Sequence, residues 1–305
     1  MLAFSRTSPS SHELHICFKT AGFIRRTNRR VLIASTTPRC LLRRPSFRLV
    51  NSIPSPRLCE QHADPRCLIF TENNPRVMTK LAHRLGLSPA LSFHDAYSLT
   101  DPDLVAFLPR PASALLFTYP VTTTAEAHYG KTNEAEADYD GSGPGEPVMF
   151  YHQTIHHACG LIGLLHCTTN GTAADFIQEG SDLEKLVKDT TPLKPAERAQ
   201  FLHDSEMLEI AHAAAAQSGD STAPPLGEDP GHAFIAFVKG KDGHLWELEG
   251  RRKGPVDRGM LEKDEDVLSD KALGLGPLPF LKREEAAGSG DVRFSCTVLA
   301  PSFDD

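Results

Sequence analysis

No apolar run in these 305 residues approaches the roughly 20 needed for a helix to cross a bilayer, so no membrane span is expected. Cysteine is sparse, seven residues, scattered and odd in number, which does not read as a disulfide framework. A reducing compartment with free thiols fits better. There is no paired CxxC, no HExxH and no internal repeat, so neither an ordinary zinc site nor a solenoid is expected. Charge is unevenly distributed about residue 68. The first 68 residues hold twelve Lys or Arg against three acids, a net +9, while the chain as a whole is −7, leaving −16 on the remainder. An acidic body of that kind disfavours nucleic acid and suits a basic partner.

What is present divides at about residue 68. Residues 1–68 are rich in Arg, Ser, Thr and Pro without helical or strand period. Their Arg-rich, acid-poor character resembles an organelle transit peptide. Pro38, Pro45, Pro54 and Pro56 break any long amphipathic helix, which favours a disordered basic extension. Residues 69–305 are expected to form one folded domain, in the cytoplasm unless the extension addresses an organelle.

Within that domain, Asn74-Pro75 reads as a cap and first turn. Val77, Met78, Leu81, Ala82 and Leu85 follow at helical spacing, and Gly86 closes the helix. Ala114 to Tyr119, between two prolines, predicts a buried strand. Residues 121–147 are polar and end in a glycine-rich loop, and Cys159 to Cys167 predicts a buried helix. One further helix is predicted over Pro195 to Ala216. A breaker-rich loop then runs from Gln217 to Gly231. Ala233 to Val238 and His244 to Glu249, around Asp242-Gly243, predict a β-hairpin, and Val292 to Leu299 a last strand. Helices and strands in this order indicate α+β.

Cys159 opens an apolar helix, where unpaired N–H groups place positive potential on the sulfur and favour thiolate. The bland alternative is a small buried hydrophobe, which also describes Cys167 and Cys296. A nucleophilic Cys needs a base and the base an orienting group. A hairpin turning between Gly240 and Lys241 would set His232 opposite Glu249 on one sheet face; the alternative is an ordinary cross-strand pair. Gln153, six residues before Cys159, could offer its side-chain amide, with the Cys159 N–H, to a developing oxyanion. His152, His156, His157 and His166 beside Cys159 and Cys167 raise a metal site, but the spacing matches no ordinary one and no cofactor is expected.

Gln153-Thr154-Ile155-His156-His157-Ala158-Cys159-Gly160-Leu161-Ile162-Gly163-Leu164-Leu165-His166 resembles the active-site segment of the ubiquitin C-terminal hydrolases, peptidase family C12. Gly231-His232-Ala233-Phe234 and Asp242 to Arg251 resemble that family's second catalytic block, and the similarity spans about Asn73 to Leu299. The resemblance implies an α+β, papain-like cysteine protease fold, with a central antiparallel sheet flanked by helices and an active-site crossover loop at Gln217–Gly231. It implies a monomeric, cofactor-free thiol hydrolase acting at the C-terminal glycine of ubiquitin or a ubiquitin-like protein. Gln153 would stabilise the oxyanion, Cys159 attack, and His232 serve as base and acid. Glu249 falls where the family has its orienting Asp, and the neighbours His156-His157-Ala158 replace small polar residues. The Glu249 departure leaves a second reading, a catalytically impaired ubiquitin-binding module.

Overall fold

A computed structural model of the chain describes residues 73–216, 231–288 and 293–303. Helix α1 (Pro75–Leu85) begins as its sequence demands: the Asn74 side chain accepts from the Arg76 and Val77 N–H groups, and Gly86 ends it at φ 114°. Its apolar face is buried on Val77, Met78, Leu81, Ala82 and Leu85. Strand β1 (Leu91–Asp95), a short helix α2 (Pro102–Ala106) and strand β2 (Ala114–Pro120) follow, then α3 (Thr123–Ala135) and α4 (Cys159–Thr168). After a 3-10 turn at Gly171–Phe176 come α5 (Asp182–Thr190), α6 (Pro195–His203) and α7 (Glu206–Ala216). The remaining elements are β3 (His232–Lys239), β4 (His244–Leu248), β5 (Val256–Met260), α8 (Asp270–Leu275), α9 (Leu278–Ala286) and β6 (Ser295–Pro301).

The strands form one sheet in the order β1-β6-β2-β3-β4-β5, and every neighbouring pair is antiparallel. Strand β2 is buried at all seven positions because both faces are covered. Leu116, Phe234, Ala236 and Val238 face the layer of α1, α4 and α7. Leu115, Phe117, Ile235 and Phe237 face the layer of α8 and α9, where Phe117 and Phe237 meet Phe280. This is the α+β arrangement of an antiparallel sheet flanked by helices.

Three expectations are corrected. The helix expected over Pro195–Ala216 breaks at Asp204-Ser205, where Ser205 starts a second helix by accepting the Leu208 N–H on its hydroxyl. The polar stretch after residue 121 contains α3, capped by Thr122 through the Ala125 N–H. The hairpin is centred on Asp242, pairing Ala236 with Leu248 and Lys239 with Leu245. The turn is longer than two residues because Gly240 N–H donates to His244 O at 2.8 Å and the Trp246 indole N–H to Asp242 at 3.1 Å. The crossover loop expected at Gln217–Gly231 lies, except for Gly231, outside the described residues, as do residues 1–68.

Candidate active site

Helix α4 is laid along β3, and two glycines fix its level. A Cβ on Gly163 would lie 2.7 Å from Leu116 Cδ1 and 3.4 Å from Phe234 Cβ, so this turn of helix rests on the sheet. Further on, a Cβ on Gly171 would lie 2.7 Å from the Lys239 carbonyl. Helix and strand therefore run in the same direction. Four residues back from Gly163 is about 6 Å along the helix, at ~1.5 Å per residue, which reaches Cys159. Two residues back from Phe234 is about 7 Å along the strand, which reaches His232 on the same face. The packing brings Cys159 and His232 to the same end of the sheet.

Cys159 is the first residue of α4 and is half-buried. No side chain caps that helix end, since Ala158 stands at the cap position. The opening N–H groups and the helix dipole therefore favour negative charge there. His157 takes φ 60° just before it, an unusual left-handed conformation for a residue with a side chain, and turns the chain into the helix. Cys167 and Cys296 are 0% and 2% exposed, and burial pushes both thiols up, away from thiolate. Among the described cysteines, Cys159 is the one that solvent reaches.

Gln153 is half-buried, and its N–H donates to the Gly250 carbonyl at 2.8 Å. Its segment is also held from behind: the Tyr151 N–H donates to His166 Nε2 at 3.0 Å, and Phe150 stacks on the His166 ring. His166 is fully buried, and burial lowers its pKa to about 3, so it is a neutral acceptor inside α4. His152 packs edge-on against Phe150, and burial lowers its pKa too. The His156 and His157 rings lie 6.4 Å apart in the nucleophile loop. Among the described residues, no group of three or more His, Cys, Asp or Glu is placed to hold a metal ion.

Glu249 departs from expectation. Centring the hairpin on Asp242 moves its partner by three residues, an odd number, so the side chain turns to the other face of the sheet. Gly250, next along, confirms the sense: a Cβ there would point at Gln153 and Ile162, on the α4 side. The Glu249 carboxylate is 2% exposed and takes the Arg251 Nε–H at 2.6 Å. Arg251 also reaches the Tyr119 hydroxyl at 3.1 Å and Glu126 at 3.3 Å. Glu249 Oε2 is buried without a hydrogen-bond partner. The fold thus seats Gln153 against Gly250, starts α4 at Cys159 and β3 at His232, and pairs Glu249 with Arg251. Gly250 and Arg251 lie within the segment that resembles the family's second block, but their residue types alone indicate no part in the site.

Residues 68–274 match the family described as Ubiquitin carboxyl-terminal hydrolase, family 1 (Peptidase_C12). The chain is 36% identical over 189 residues to ubiquitin carboxyl-terminal hydrolase 3 of Arabidopsis thaliana, covering 62% of this chain and 77% of that one. It is 34% identical over 228 residues to isozyme L1 of Monodelphis domestica, covering 75% and 96%. Among solved structures it resembles the Trichinella spiralis UCH37 catalytic domain bound to ubiquitin vinyl methyl ester. That match has a TM-score of 0.59 at 21% identity and covers 78% of this chain and 96% of that one, which speaks to the fold. A thiol-bearing helix start against an antiparallel sheet, and sequence kinship over most of the body, lead to one assignment: the chain belongs to family 1 of the ubiquitin carboxyl-terminal hydrolases.

Proposed function

We propose that this chain is a cysteine-type deubiquitinase that hydrolyses ester, thioester or amide bonds at the C-terminal glycine of ubiquitin. The observation that carries the reading is the solvent-reached thiol of Cys159 at an uncapped helix start, on a helix packed along β3, the strand that His232 opens. In this mechanism the Cys159 thiolate attacks the glycine carbonyl carbon. The side-chain amide of Gln153 and the Cys159 N–H receive the oxyanion. His232 donates its proton to the leaving amine, thiol or alcohol as the tetrahedral intermediate collapses to a thioester. His232 then takes a proton from water, which attacks the thioester and releases the ubiquitin carboxylate and the free thiol. The −16 charge of residues 69–305 would draw in a basic C-terminal tail. Binding without hydrolysis was suggested by Glu249 alone, and nothing in the site favours it.

We further read residues 1–68 as an extension separate from the catalytic domain at 69–305, which is consistent with a family match that begins at residue 68. A monomer in a reducing, cytoplasmic setting accords with a reaction that needs a free thiol. The test of the main reading is labelling by ubiquitin carrying a C-terminal thiol-reactive group. Wild type should gain one ubiquitin, attached at Cys159, and Cys159→Ala should gain none. An unlabelled wild-type protein, or a labelled Cys159→Ala, would refute the assignment.

A further inference from the structure

The turn that follows β4 carries an ion pair that the mechanism above leaves unused. Glu249 and Arg251 are joined at 2.6 Å, Arg252 Nε lies 3.8 Å from Glu249 Oε2, and Arg252 Nε bonds Glu247 at 2.9 Å. Burial pushes the Glu249 carboxyl up, and the two arginines pull it back down. A charge kept in so dry a place is costly unless it holds something. Outwardly the turn is moored to α3. Arg251 meets Glu126 at 3.3 Å, its carbonyl accepts the Tyr129 hydroxyl, and the Lys253 N–H donates to Asn133 at 3.0 Å.

Inwardly, the residue between the paired charges is Gly250. Its carbonyl takes the Gln153 N–H at 2.8 Å. A Cβ on Gly250 would stand 2.9 Å from both Gln153 Cβ and Ile162 Cγ2, and 3.1 Å from Gln153 N. Gly250 is not among the positive-φ glycines, so the glycine is needed for close approach rather than for an unusual backbone angle. The backbone of Gln153 is seated against Gly250, which lies between the paired residues 249 and 251.

We infer that Glu249 and Arg251 are positioning residues for Gln153, clamping Gly250 against it. The inference rests on the reading of Gln153 as that donor. A misplacement of about 1 Å at such a donor costs up to about 100-fold in rate, and outright loss of one donor about 100- to 1000-fold.

The test uses the full chain, a ubiquitin C-terminal amide with a fluorogenic leaving group, and the pH dependence of Cys159 alkylation by iodoacetamide. Alkylation reports thiolate formation without needing an oxyanion donor. Gln153→Ala should lower kcat about 100- to 1000-fold and leave the alkylation profile in place. Unchanged kcat would remove the reading of Gln153, and the inference with it. If Gln153→Ala behaves as expected, Arg251→Gln and Gly250→Ala should each lower kcat about 10- to 100-fold with little change in KM. Arg251→Lys should recover part of the loss, and neither loss should recur in the Gln153→Ala background. Gly250→Ala leaves the ion pair intact and keeps the test usable where Arg251→Gln fails to fold. Two results would overturn the inference while sparing the reading of Gln153. They are losses fully additive with Gln153→Ala, or a normal kcat in Gly250→Ala.

Discussion

Arg198 is fully buried, and removing its charge should be among the most damaging changes to stability that this fold can suffer away from the site. Its Nη1 bonds Glu146 Oε1 at 3.0 Å, and Nη2 contacts the other carboxylate oxygen. Nε donates to the Thr190 carbonyl at 2.9 Å and Nη2 to that of Thr191 at 3.1 Å. Glu146 is 7% exposed and has one further donor, the Tyr139 hydroxyl at 2.8 Å. Arg198→Met keeps the volume but strands a buried carboxylate, a loss of about 3–5 kcal/mol for breaking a buried pair on one side. For a folded body of this size, about 2–4 °C is lost per kcal/mol, so Tm should fall by about 6–20 °C. Adding Glu146→Gln removes the stranded charge, so the double variant should be more stable than Arg198→Met alone, with a coupling energy above about 1 kcal/mol. Urea unfolding followed by far-UV circular dichroism measures all four proteins of the cycle: wild type, Arg198→Met, Glu146→Gln and the double variant. A loss below about 1 kcal/mol in Arg198→Met, or strict additivity in the double variant, would refute the reasoning.

Acid should weaken the fold through His166. Its folded pKa lies below the unfolded value of 6.5, so its neutral form supports stability above pH 6.5, and that support is lost as pH falls towards about 3. The expected loss is about 1.4 kcal/mol per pH unit in that window, read as a falling urea midpoint from pH 7 to 5, with a flatter profile in His166→Gln; equal slopes would contradict this. Native iodoacetamide treatment followed by mass spectrometry should modify Cys159 well ahead of Cys167 and Cys296, and comparable modification of the buried pair would contradict the described burial. Asn74→Ala should cost about 1 kcal/mol in urea unfolding, because two N–H groups of α1 lose their acceptor.

The legible parts of the sequence were those whose local chemistry agrees with their packing. Asn74-Pro75 and Gly86 bracket α1 at its observed ends, and the apolar run from Cys159 is the helix α4. Helix α3 was not legible because Ala125 is its one buried residue, so it has no apolar stripe to read. Its anchors are Arg251, Arg252 and Lys253, about 120 residues away in sequence. The hairpin strands were readable from Asp242-Gly243 and the flanking apolar residues, but their register was not. It depends on Gly240 bonding to His244 and on the Asp242–Trp246 contact, local details of the turn that the residue types do not fix. That slip changed the partner and the face of Glu249 together. For Gln153, Cys159 and His232 the residue types alone left ordinary structural readings open, and the resemblance of the two segments to the family's blocks is what nominated them.

The strand order has a consequence in time as well as in space. β2 lies between β3 and β6, and among the described residues β6, at Ser295–Pro301, is also the only strand paired with β1. During synthesis, helix α4 and the hairpin emerge well before the segment that joins β1 to the rest of the sheet. Until then one edge of β2 is open and the layer beneath α1 is unfinished. A topology so dominated by distant pairings folds slowly for its size. Growing chains stalled before residue 295 should expose that edge to chaperones and stay inactive, so hydrolytic competence arrives only with the last strand.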